Sequence, residues 1–167
     1  MRLKVTVPVE LKKYPKLKPE ELTWYIADSL RVEQARSVEA DETRIRFSAG
    51  FFRSFLNWTP ISTIHGGEIR FQVDTKRILV VSRLSFADTV VIASVLTGLL
   101  AFVNSRTIFV GEGDAIFYTV EWVWFVAGTM LFSIYRWRRF IRSCVRETAQ
   151  RVYISREQLM ANKQMQR

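Results

Sequence analysis

Two nearly unbroken apolar runs, residues 86–103 and 115–135, set the limits on what this chain can become. A bilayer core about 30 Å thick takes ~20 apolar residues as helix and ~17 at the least, and both runs pass that limit. The core helices of soluble proteins are seldom apolar on every face. The pair therefore predicts a transmembrane hairpin: a first helix over 86–104, a short external loop over 105–114 and a second helix over 115–136. The alternative is two helices buried in a soluble protein. Before the hairpin, residues 1–85 alternate polar and apolar positions, as a small soluble domain does. After it, residues 137–167 form a basic segment.

Cation placement gives the hairpin a direction. The net charge is +9, and of the 25 Lys and Arg residues only Arg106 falls within 86–135. Lys76, Arg77 and Arg83 precede the first helix, and Arg136, Arg138, Arg139, Arg142 and Arg146 follow the second. Cytoplasmic flanks carry the excess of Lys and Arg, so both termini are expected in the cytoplasm and the loop outside, in a bacterial inner membrane. The charge then reports topology. It does not indicate nucleic acid, because neither a basic groove nor a reading motif stands out in the sequence. The start "MRLKVTVPVELKKY" has no apolar core or cleavage site, so no signal peptide is expected. One cysteine, Cys144, excludes an internal disulfide and a cysteine-based metal cluster; burial is its simplest role.

The soluble part reads as α+β. "RLKVTVPVE" alternates as a half-buried strand, with Pro8 pointing to a sheet edge. "PEELTWYIADSLRVE" opens with Pro19 and two acids and repeats Leu22, Tyr25, Ile26 and Leu30 at helical spacing. "TRIRFS" is a strand, and "GGEIRFQVDTKRILVVSRLSF" is a hairpin turning at "DTK". These predict three or four antiparallel strands with one or two helices. The second of these helices is the stretch with Phe51, Phe52, Phe55 and Trp58, read as a short amphipathic turn over the core. In "RWRRFIRSCVRETAQRVY", Trp137, Phe140, Ile141, Cys144, Val145, Thr148 and Val152 make an apolar stripe without Gly or Pro. The second membrane helix should therefore run on as one rod, its apolar side on the sheet and Arg138, Arg139, Arg142 and Arg146 towards anionic headgroups. The tail 161–167 is expected to fray.

Ionisable groups inside a membrane mark function or a partner. Asp88, at the cytoplasmic end of the first helix, is expected to form an interfacial ion pair with Arg83 and Arg136. Glu121 cannot be placed outside the membrane, because 122–135 is too short to span. Matching the helix ends puts it near Gly98. Ser94, Thr97, Gly98 and Ala101 of the first helix should then meet the face of Glu121, Trp124 and Gly128, with Glu121 bonding a hydroxyl or a carbonyl.

Little else carries chemistry. His65, the only histidine, lies in "TIHGGEI" and reads as a loop residue before a strand. "GGEIR" and "GEGD" are turns without the lysine or context of a phosphate loop. No cofactor or metal is expected. The leading functional expectation is a non-enzymatic, membrane-anchored interaction protein, an accessory or assembly subunit of a membrane complex or a homo-oligomer. The alternatives are an oligomeric ion or proton pathway using Glu121, and a membrane-tethered sensor or enzyme with its site near His65.

Overall fold

The computed structural model describes residues 2–10, 14, 17–49, 63–107 and 112–165. The elements follow in the order β1 (Arg2–Glu10), α1 (Pro19–Val32), β2 (Ser37–Asp41), β3 (Arg44–Ser48), β4 (Gly66–Val73), β5 (Arg77–Ser85), α2 (Ala87–Thr107) and α3 (Glu112–Met165). All strand pairs are antiparallel, in the order β1-β5-β4-β3-β2. Pro8, which has no N–H to give a second neighbour, sits on an edge strand. The aromatic stretch 51–58 lies outside the described residues.

Among the described residues the sheet has five strands, where three or four were expected. The extra one is β2, "SVEAD", whose only apolar residues, Val38 and Ala40, are half-buried. It forms because β3 needs a partner on its outer side and the two-residue turn Glu42–Thr43 folds back directly. Gln34, at a left-handed φ of 62°, reverses the chain from α1 into it.

Side chains alternate across the sheet. One face carries Val5, Val7, Val9, Ile45, Phe47, Ile69, Phe71, Ile78, Val80 and Leu84, all buried. α1 covers it with Leu22, Ile26, Ala27 and Leu30, and α3 adds Trp137, Ile141, Cys144 and Val145 to the same core. Trp137 stacks on Phe47, with ring centroids 5.4 Å apart. The Tyr25 hydroxyl donates to Glu147 and ties α1 to α3. α1 starts as its sequence dictates: Pro19 occupies the first turn, and Glu21 accepts the Lys18 N–H at 3.3 Å.

α3 is a single helix of 54 residues, ~80 Å long at 1.5 Å per residue. It begins at Glu112 rather than 115 and continues to Met165, through most of the tail expected to fray. Its apolar part lies in the one helix of the described residues long enough to cross a membrane, Ile116–Ile154. The apolar stretch of α2, Ala87–Val103, is shorter. α2 follows β5 after one residue, the buried Phe86. It packs on α3, where the Trp122 indole N–H donates to Ser94 Oγ at 3.1 Å.

Candidate functional site where the sheet meets the helices

The β4–β5 register pairs Gly66 with Ser85. His65 continues that ladder, donating its N–H to Ser85 O and accepting from Ala49 N–H, each at 2.9 Å. Three residues beyond Ser85 comes Asp88, in the first turn of α2. The register therefore brings His65 Nδ1 within 2.8 Å of Asp88 Oδ1. Both atoms are shut off from solvent, so a proton on Nδ1 lets each satisfy the other. The Asp88 side chain is 4% exposed and that of His65 43%. A buried carboxylate thus orients a half-exposed imidazole, an arrangement that fixes the ring and its tautomer.

Hydroxyl hydrogen bonds beside this pair tie the same segment to α2 and α3. Thr89 Oγ1 donates to Thr63 O at 3.0 Å. Ser133 Oγ donates to Thr129 O at 2.6 Å, which leaves the Thr63 hydroxyl as donor to Ser133 Oγ. The segment 63–65 is therefore bonded to the sheet, to α2 and to α3 at once.

On its open side His65 borders a cleft of about 450 Å³ lined by Arg2, Arg44, Arg46, Phe47, Ser48, Gly66, Gly67, Glu68, Arg83 and Ser85. Arg2, Arg46 and Arg83 share the sheet face opposite the core, by register with Ser85, Gly66 and Glu68. The one carboxylate, Glu68, is held by Arg70 Nε at 2.5 Å and Arg44 Nε at 2.6 Å. The Arg70 hydrogen bond, assisted by Arg44, holds the Glu68 carboxyl below its usual range against the opposing effect of burial. Gly66 and Gly67 keep the strands close: an added Cβ would come to 2.8 Å from Phe47 O and from Arg83 O respectively. Among the described residues no three His, Cys, Asp or Glu side chains gather where a metal ion would be held.

The structure rearranges the residues singled out in the sequence. Asp88 pairs with His65 instead of the expected Arg83, which stands on β5 between Lys4 and Glu68. Arg136 lies one turn from Phe132, its guanidinium 5.6 Å over that ring. Ser94 does contact α3, but through Trp122. Thr97 and Ala101 are half-buried. Glu121 and Gly128 face away from α2 and are exposed, and a Cβ at Gly98 or Gly128 would meet nothing within 4 Å. The close Glu121–Gly98 contact is thus absent.

The cause is the phase of the rod. Trp137, Ile141 and Cys144 are fixed in the core, and the same stripe runs back through Ser133, Met130 and Val126. At 100° per residue, Glu121 and Gly128 fall roughly 160° and 180° around the helix from Trp137. Arg138, Arg139, Arg142 and Arg146 are exposed on the rod; Arg142 and Arg146 border a groove with β1. The His65–Asp88 pair escapes a motif search, but its signal is present: the "DTK" turn sets the register, and α2 follows with no loop. No family model, curated protein or solved structure matches the chain.

Proposed function

We propose that the chain is a membrane-anchored interaction protein without catalytic activity, working as a homo-oligomer or as an accessory subunit of a membrane complex. α2 and the apolar part of α3 cross a bacterial inner membrane as a hairpin, with both termini in the cytoplasm. The observation that carries this reading is Glu121. It lies within the apolar part of α3, on the face away from α2, beside Trp124, which is 74% exposed, and Gly128, Leu131 and Tyr135. A carboxyl turned towards lipid costs ~2.5 kcal/mol or more, so a second chain covers this face. Gly128 leaves the notch for close approach. Arg138, Arg139, Arg142 and Arg146 meet anionic headgroups, each contributing ~1 kcal/mol near the surface.

A photo-crosslinking residue at Trp124 should capture a neighbouring chain in native membranes, and the same residue at Met130, which faces the protein's own core, should not. Glu121→Leu should weaken the captured assembly. A protein that stays a monomer in mild detergent and gives no adduct at Trp124 rejects the reading.

A second reading, a ligand sensor, is favoured by the oriented His65 at the mouth of the cleft. An ion or proton pathway through Glu121 requires the same oligomer, with Glu121 on its axis; Glu121→Gln would then alter the conductance of the reconstituted protein.

A further inference from the structure

We infer that the cleft beside His65 binds a phosphate-bearing anion. Four arginines line it against one carboxylate. That carboxylate, Glu68, is already engaged by Arg44 and by Arg70. Arg2, Arg46 and Arg83 make no ion pair among the described residues, and they converge on one end of one sheet face. Glu39 stands opposite Arg46 and Glu68 opposite Arg83 by register, but the arginines still outnumber the carboxylates, and the surplus cations repel one another. An anion relieves that repulsion and gains charge-assisted, forked hydrogen bonds that guanidinium groups form well with phosphate oxygens. The glycine row leaves the floor open. Gly66 faces the cleft side of the sheet without a side chain, and Ser48 and Ser85 flank it with hydroxyls. The volume, about 450 Å³, is that of a small-ligand pocket. It admits a phosphorylated headgroup or a small phosphate ester.

Position bears on the source. Arg83 precedes Ala87, the first residue of α2, by four residues, ~13 Å of extended chain. With α2 in the bilayer, the cleft stands at the level of lipid headgroups, whose phosphates are the nearest supply. A soluble phosphate compound has the same chemistry and enters from the open side. The anion site itself stands on the sheet face alone; only the lipid source rests on the membrane placement proposed above.

The test uses the full chain in non-ionic detergent. Retention of phosphatidylglycerol over phosphatidylcholine is read by native mass spectrometry, and binding of inorganic pyrophosphate by calorimetry. Both arginines changed are exposed on the sheet face, so the double variant R46E/R83E should melt as the parent does; R46Q/R83Q replaces it if charge reversal disturbs folding. Loss of one charge-assisted contact weakens binding about tenfold or more, so the double variant should lose at least that factor for whichever probe binds. K18E/R31E, altered at the two ends of α1 on the other side of the sheet, should keep it. Selective retention of phosphatidylglycerol assigns the site to lipid, and pyrophosphate binding without lipid assigns it to a soluble phosphate. A parent that takes up neither probe, or sheet variants that bind as the parent does, overturns the inference.

Discussion

At the scale of single residues, the junction is held by groups that each have one satisfied partner, and its exceptions are informative. Ser82 is fully buried on the core face of β5, and its hydroxyl has no hydrogen-bond partner among the described residues. An unmet buried hydroxyl costs about 1–3 kcal/mol. Ser82→Ala should therefore be neutral or raise the melting temperature, whereas most core substitutions lower it. Gly67→Ala should destabilise, because its Cβ would press on the backbone oxygen of Arg83 at 2.8 Å. Glu68 gives a pH signature. Its pKa is lower folded than unfolded, so its contribution is present above the ordinary carboxylate value of ~4.3 and fades as pH falls through the folded value. Tyr25 has the opposite sign. Its hydrogen bond to Glu147 raises its pKa, so that tie holds below pH ~10 and is lost as pH climbs through the raised value. Melting curves from pH 3 to 11 should show both edges, and Glu68→Gln should blunt only the acid one. Asp88 and His65 were each legible as unusual residues, but their pairing was not. It depends on a backbone register that no single residue announces.

The elements show which signals in the sequence suffice. Long periodic stretches, α1 and the β4–β5 hairpin, stand where their patterns place them. β2 does not announce itself, because five residues with two small apolar side chains look like a loop until β3 offers them an edge. The uninterrupted α3 follows from the lack of Gly or Pro after residue 128. Its rotation, however, is decided at its far end, by Trp137, Ile141 and Cys144 in the core. Reading the apolar half of α3 apart from its basic half therefore put Glu121 on the wrong side. This makes a mechanical test possible. Thr63 and Ser133 touch through their hydroxyls, so a T63C/S133C pair in a C144S background should form a disulfide. One alanine inserted after Ile134 would rotate Ser133 by ~100° relative to the core and should abolish that link. The same insertion after Ile154 should leave it intact.

As a whole molecule, the soluble and apolar parts share one core. The sequence marks a small domain ending at residue 85 with the apolar side of the later rod against its sheet, and that buried face is closed in part by α3 residues more than fifty positions later. Residues 1–85 produced alone should lack a cooperative melting transition, and adding back 137–154 on a flexible linker should restore one. Trp137→Ala in the full chain, which empties the stack on Phe47, should cost about 3–5 kcal/mol and lower the midpoint of denaturant unfolding accordingly. The single residue between β5 and α2, Phe86, is buried and its carbonyl accepts the Val90 N–H at 3.3 Å, so there is no swivel between strand and helix. On the proposed placement, a bilayer ~3 Å thinner than a ~30 Å helix is matched by ~25° of tilt. Every degree of it passes to the sheet, so the angle at which the arginine cleft meets the membrane surface becomes a gauge of membrane thickness.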